Sequence, residues 1–221
     1  IKVAQTLYNK GKKRVLYFSP DLMVPCMGYI FPHCKESDLY SIGKVLDKTD
    51  VYREDVLRSI VTTKNMPNFG YLGYKANENK YTYARPTEDK ISQLFMNMRE
   101  LADYIVIDCV SDRSDLISSL AKAEADVIVQ VVTPTLKCMS YYAANGDQFI
   151  AFADKVVKVI NIKDNDIYLP VGEVKEHFKD VEIKIPYSHS LKQQSITGTL
   201  SEHITDKVFC DSILRLAKVV S

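Results

Sequence analysis

The first 21 residues, IKVAQTLYNKGKKRVLYFSPD, decide how this chain is read. Val3, Ala4 and Leu7 recur at helical spacing, and Gly11 stands where a helix is capped at its C-terminus. Residues 13–19, KRVLYFS, follow as a continuous apolar run behind basic residues. A short run of that kind, without polar alternation, is the pattern of a strand buried on both faces in a parallel sheet. The strand closes on Ser19-Pro20-Asp21, so it delivers an acid at its carboxyl end. The first residue is Ile1 rather than Met, and no capping residue precedes the helix. We therefore expect residues 1–221 to form a single domain that is N-terminally incomplete.

The same alternation continues along the chain. Residues 38–48 and 53–63 read as helices, with Asp38 as the cap of the first, and 69–75 as a strand. Residues 86–102, PTEDKISQLFMNMRELA, carry the best helix start. Thr87 caps, Glu88 and Asp89 suit the positive end of the dipole, and Ile91, Leu94, Phe95, Met98 and Leu101 form one apolar face. Buried strands are expected at 103–112 (DYIVIDCVSD) and 126–134 (DVIVQVVTP), with a helix over 114–123 between them. A helix within 135–152, a strand at 155–162, a helix at 171–178, a strand at 181–188 and a closing helix at 205–220 complete the pattern. Strand and helix in alternation imply parallel strands joined by right-handed crossovers. The expected architecture is α/β in three layers, a mostly parallel sheet with helices on both faces.

Bulk composition excludes several classes. Hydrophobic residues make up 46% and charged residues 26% of the 221, enough for a sizeable core. A formal net charge of +1 gives no global attraction to nucleic acid. No apolar run approaches the roughly 20 residues of a membrane span, and no signal peptide is seen. The 5 cysteines form no C-x-x-C pair, which suits a reduced, cytoplasmic compartment. Cys26, His33 and Cys34 do not have the ligand spacing of a zinc site.

Ligands of open parallel sheets bind beyond the carboxyl ends of the strands. The strand ends deliver Asp21, Asp108, Thr133-Pro134, Asn161 and Pro186-Tyr187. Two acids at the ends of apolar strands suit a hydrated magnesium ion. Each residue also has a plainer reading: Asp and Asn are common turn formers, and Pro134 ends a strand.

These motifs, in this order, resemble the MinD/ParA group of P-loop ATPases over nearly the whole chain. In that group a Gly-Lys-Thr-Thr phosphate loop feeds a helix of the form IAVNLAxxLAxxGKKVLLIDxD, and residues 1–21 are similar to it from the residue after that run. ADYIVIDCVSD resembles the Walker B strand and switch II, and ADVIVQVVTP the strand ADEVIVVTTP. KVVKVIN resembles the strand whose Asn meets adenine, and VEIKIPYSHSLKQQSITG the segment that folds over the base. The resemblance implies ATP and Mg2+ as cofactors. It implies that Asp108 holds magnesium through water and that Asp21 is the switch I acid orienting the attacking water. It also implies that Asn161, Pro186 and Tyr187 contact the base, with Pro134 in the same nucleotide-binding set. It implies an ATP-clamped homodimer, with protein partners in a positioning, pilus or secretion system of the CpaE/TadZ type. Peripheral membrane association through the tail is a further reading.

The chain departs from the pattern at informative places. Ser19 stands where the group has its first switch I acid, and Cys109-Val110-Ser111 replaces the Gly-containing switch II. The phosphate loop is not among the 221 residues. Three readings compete: a switch ATPase with slow or degenerate hydrolysis, a pseudo-ATPase scaffold without turnover, and a capsule-type bacterial tyrosine kinase. The third is weakened because the 14 tyrosines are dispersed and the tail RLAKVVS has none.

Overall fold

Strand pairing divides the observed sheets into two. In the computed structural model, which describes residues 1–8, 11–31, 35–162 and 176–221, the chain forms two compact units. The first comprises residues 1–122 and 194–202, and the second residues 123–193 and 203–221.

The first unit carries helix α1 (Lys2–Leu7), strand β1 (Val15–Ser19), a short helix α2 (Met27–Ile30), α3 (Ile42–Leu46), α4 (Arg53–Ser59), β2 (Val61–Thr63) and β3 (Met66–Gly73). Helix α5 (Glu88–Leu101), β4 (Tyr104–Ile107) and α6 (Leu116–Glu124) follow. The sheet order is β2-β3-β1-β4. β1 runs parallel to both neighbours, Tyr17 lying opposite Tyr71 of β3 and Val106 of β4. All five β1 residues are buried, as the continuous apolar run requires.

Alternation along β1 builds two different faces. Leu16 and Phe18 join Leu72, Ile42, Val45, Val56, Ile91, Leu94, Met98 and Ile117 in the main core beneath α3–α6. Tyr17 and Ser19 face the other way. There Phe69 and Tyr71 pack with Tyr8 and Phe31, the Phe31 and Tyr71 rings meeting edge-on at 4.6 Å. Gly11, at φ +88°, makes the left-handed turn between α1 and β1 that its position predicts.

Several expectations need correction. The helix expected over 53–63 stops at Ser59, and the β-branched run Val61-Thr62-Thr63 pairs antiparallel with β3 through a Lys64-Asn65 turn. That hairpin is the one departure from parallel pairing among the described strands. Asp38 lies in a single 3-10 turn (Glu36–Asp38), not at the start of α3. The Ser41 hydroxyl caps α3 instead, accepting from the Gly43 N–H at 3.0 Å. β4 is half-exposed at all four residues, not buried, because it ends its sheet and pairs on one side only. Helix α5 forms as expected, with the Thr87 hydroxyl accepting from the Lys90 N–H at its start. The turn after β3 is gathered by Glu78, whose carboxylate accepts from the Ser41 hydroxyl, the Tyr83 hydroxyl and the Lys75 N–H at 2.5–2.8 Å.

The second unit holds β5 (Ile128–Val132), α7 (Leu136–Asn145), a 3-10 stretch (Gly146–Lys155), β6 (Val156–Asn161), β7 (Val181–Ile185) and α9 (Lys207–Val219). Helix α8 (His189–Thr197) has its first five residues in this unit, and residues 194–202 belong to the first. The sheet is parallel, in the order β5-β6-β7. Val132, Ile160 and Phe178 form its small core. The Asp206 carboxylate caps α9 by accepting from the Phe209 N–H. The helix expected at 171–178 lies outside the described residues except for one turn at 176–178. His33 and Cys34 also lie outside them.

Candidate functional site

The two acids of the first unit sit at neighbouring strand ends but are held differently. Asp108 directly follows β4, where its N–H donates to the Phe18 carbonyl at 2.8 Å and continues the β1–β4 ladder by one step. Its side chain is exposed. Its Oδ2 accepts a hydrogen bond from the Tyr17 hydroxyl at 2.6 Å. The register explains this. Tyr17 lies opposite Val106, so Asp108 is two residues further along β4 on the same face. Burial, and then the negative charge of Asp108, push the Tyr17 phenol far above its ordinary range, so it donates.

Asp21 lies two residues beyond the end of β1, half-buried. Its Oδ1 accepts from the backbone N–H groups of Met23 at 2.8 Å and Val24 at 2.9 Å. This is an Asx turn, which shapes the following loop. Within that loop Met23, Val24 and Tyr29 are exposed, while Met27 and Ile30 are buried. Cys26 turns inward, its thiol near the Ser19 hydroxyl at 3.7 Å, and burial pushes its pKa up. The cavity beside these groups, lined by Tyr17, Ser19, Cys26, Phe31, Tyr71 and Gly73, has about 10 Å³, room for roughly one water.

The segment after Asp108 is already folded on itself. The Val110 N–H donates to the Ser118 hydroxyl at 3.0 Å, and the Ser118 N–H to the Asp115 carboxylate at 2.7 Å. Asp112 accepts from the Ser114 N–H at 2.8 Å, which holds its carboxyl below the ordinary range.

The second unit presents its strand ends separately. Pro134 lies between β5 and α7, half-buried, with Thr135 capping α7 by accepting from the Cys138 N–H at 3.3 Å. Asn161 is the last residue of β6, opposite Ile185 of β7. Pro186 and Tyr187 follow β7 directly and are half-buried. The buried Ser188 accepts from the Leu191 N–H and starts α8. All six expected residues thus stand at or just beyond strand ends. Within the first unit Asp108 gains Tyr17 as a partner, which sequence reasoning missed. The available signal was a tyrosine inside an apolar strand, whose hydroxyl needs a partner when buried.

Among the described residues no three His, Cys, Asp or Glu side chains are grouped to hold a metal ion, and no helix is long and apolar enough to cross a membrane.

No protein-family model and no curated protein matches the sequence. Solved structures do match. A ParA-family ATPase from Chlorobium tepidum superposes with a TM-score of 0.77 at 14% identity, over 98% of this chain and 89% of that one. The septum site-determining protein MinD from Pyrococcus horikoshii, solved with Mg-ADP, gives 0.74 at 16% identity, over 100% and 88%. The McdA(D38A)–ATP complex from Cyanothece gives 0.62 at 13%, over 100% and 92%. At these identities the likeness establishes the fold, which is that of the MinD/ParA-type P-loop ATPases.

Proposed function

We propose that this protein is an ATP-binding switch of the MinD/ParA type, with slow or degenerate hydrolysis, used in positioning or assembly. One observation carries the reading most. Asp108 stands at the carboxyl end of an apolar parallel strand, one carboxylate oxygen fastened by Tyr17 and Oδ1 without a hydrogen-bond donor among the described residues. A single hard oxygen suits magnesium, which keeps most of its water and takes its other ligands from phosphate oxygens. Solved proteins of this fold, MinD from Pyrococcus horikoshii and McdA from Cyanothece, hold Mg-ADP and ATP respectively.

On this reading Asp108 holds the metal through water and Asp21 orients the attacking water. Asn161, Pro186, Tyr187 and Pro134 serve the nucleotide on the base side. Magnesium supplies charge neutralisation at the phosphates when bound; the protein's own contribution is orientation and electrostatics. ATP would clamp a homodimer and be the signal that engages a protein partner, in a positioning, pilus or secretion apparatus. On this reading the protein works in the cytoplasm.

Two contacts favour weak turnover. One oxygen of Asp21 is committed to the Met23 and Val24 N–H groups. The Val110 N–H, in the segment that would meet a terminal phosphate, is committed to Ser118. The second reading, a nucleotide-binding scaffold without turnover, rests on the same two contacts.

Calorimetry with AMPPNP, with and without Mg2+, tests the proposal. Magnesium-enhanced binding is expected, and light scattering should show dimer formation. No binding at millimolar AMPPNP would overturn the nucleotide reading. Phosphate release then separates the alternatives: slow Mg2+-dependent release supports the switch, and none supports the scaffold.

A further inference from the structure

The Tyr17–Asp108 pair does more than fill hydrogen-bonding capacity. Tyr17 is 3% exposed, and its ring meets Tyr71 edge-on at 6.1 Å. It cannot swing away without opening that aromatic layer. Its hydroxyl reaches out of the layer to an exposed carboxylate 91 residues further along the chain. Asp108 is therefore restrained at two points, its backbone N–H on Phe18 and its Oδ2 on the phenol. A carboxylate with one oxygen so held presents the other in a defined direction.

Resting on the nucleotide reading above, we propose that Tyr17 is a positioning residue: its phenol clamps Asp108 Oδ2 so that Oδ1 is presented to the hydration shell of a nucleotide-bound magnesium ion. The clamp acts on orientation and on charge. A hydrogen bond to one carboxylate oxygen stops rotation about the terminal side-chain torsion, which is otherwise broad. A phenol donating to a carboxylate oxygen is a charge-assisted contact, shorter and stronger than one between neutral groups. Outer partners of metal-holding groups act in this way elsewhere, and their loss weakens metal affinity by about tenfold or more.

Tyr17→Phe tests this, since it removes the hydroxyl and keeps the ring in its packing. AMPPNP binding is measured by calorimetry across a magnesium titration and again in EDTA. The expected result is a midpoint for magnesium raised about tenfold, with the magnesium-free affinity unchanged. An unchanged midpoint in a variant that binds AMPPNP overturns the clamp while leaving the nucleotide reading intact. Failure of the unaltered protein to bind AMPPNP under any condition overturns the nucleotide reading itself. Asp108→Asn provides the control for a merely structural effect. Adding Tyr17→Phe to it should move the midpoint no further, and a persisting tenfold shift overturns the proposal. The unaltered protein offers a measurement that does not depend on any variant folding. A slowly exchanging Tyr17 hydroxyl proton in the NMR spectrum is expected, and a rapidly exchanging one overturns the clamp.

Discussion

The Ser118 hydroxyl holds the backbone N–H of Val110 at 3.0 Å, tying the segment after β4 to the first turn of α6. Ser118 is fully buried. Ser118→Ala would leave that N–H without its partner, and a hydrogen-bonding group left unsatisfied costs about 1–3 kcal/mol. We expect a loss of stability of that order in denaturant unfolding. If the Val110 N–H is what keeps a terminal phosphate from being gripped, the same variant binds AMPPNP at least as tightly as the unaltered protein. Weaker binding would show that the closed turn is the binding-competent form.

The two acids should respond differently to removal. Asp108→Ala is expected to abolish magnesium-dependent hydrolysis and the magnesium enhancement of binding. Unchanged turnover, measured as phosphate release, would refute its assignment. Asp21→Ala should retain nucleotide binding and slow hydrolysis further. It also removes the acceptor of the Met23 and Val24 N–H groups, at about 1 kcal/mol for such a turn. Loss of binding with an intact fold would instead mark Asp21 as the residue that shapes the loop.

Gly43 lies against the ring of Tyr83, and a Cβ built there would overlap Cε2 and Cδ2 of that ring. The ring cannot easily yield, because its hydroxyl is bonded to Glu78 at 2.6 Å. Gly43→Ala should therefore destabilise by about 1–3 kcal/mol despite the better helix propensity of alanine. Adding Tyr83→Leu should recover part of that loss, measured as the coupling between the two substitutions.

Asp103 accepts from the Arg14 backbone N–H at 2.9 Å and from its guanidinium at 3.1 Å. The backbone contact, and then the guanidinium, hold its carboxyl below the ordinary 3.8. A carboxyl whose folded value is depressed stabilises the fold above its unfolded value, and that contribution is lost as pH falls through the folded value. Asp103→Asn should accordingly lower the melting temperature at neutral pH, with the difference from the unaltered protein shrinking in acid below 3.8. Both side chains are partly exposed, so added salt should also shrink it. A difference that stays constant on acidification would contradict the assignment.

Local composition determined the elements. The apolar run of β1, the Thr87 cap and the helical stripe of α5 all depend on neighbours in sequence, and each stands where the residues place it. The positions of Asp21 and Asp108 in the first unit, and of Pro134, Asn161, Pro186 and Tyr187 in the second, at strand ends follow from the same alternation, because parallel strands end on the same side of their own sheet. What Asp108 touches was decided by tertiary structure alone. Tyr17 reaches it because β1 and β4 pair in one register, a choice made by packing across 91 residues. The half-exposed β4, the β2–β3 hairpin and the commitment of the Val110 N–H to Ser118 are likewise products of pairing and packing. Local propensity acts between neighbours in the chain, whereas a hydrogen bond between distant strands exists only after the sheet has been assembled.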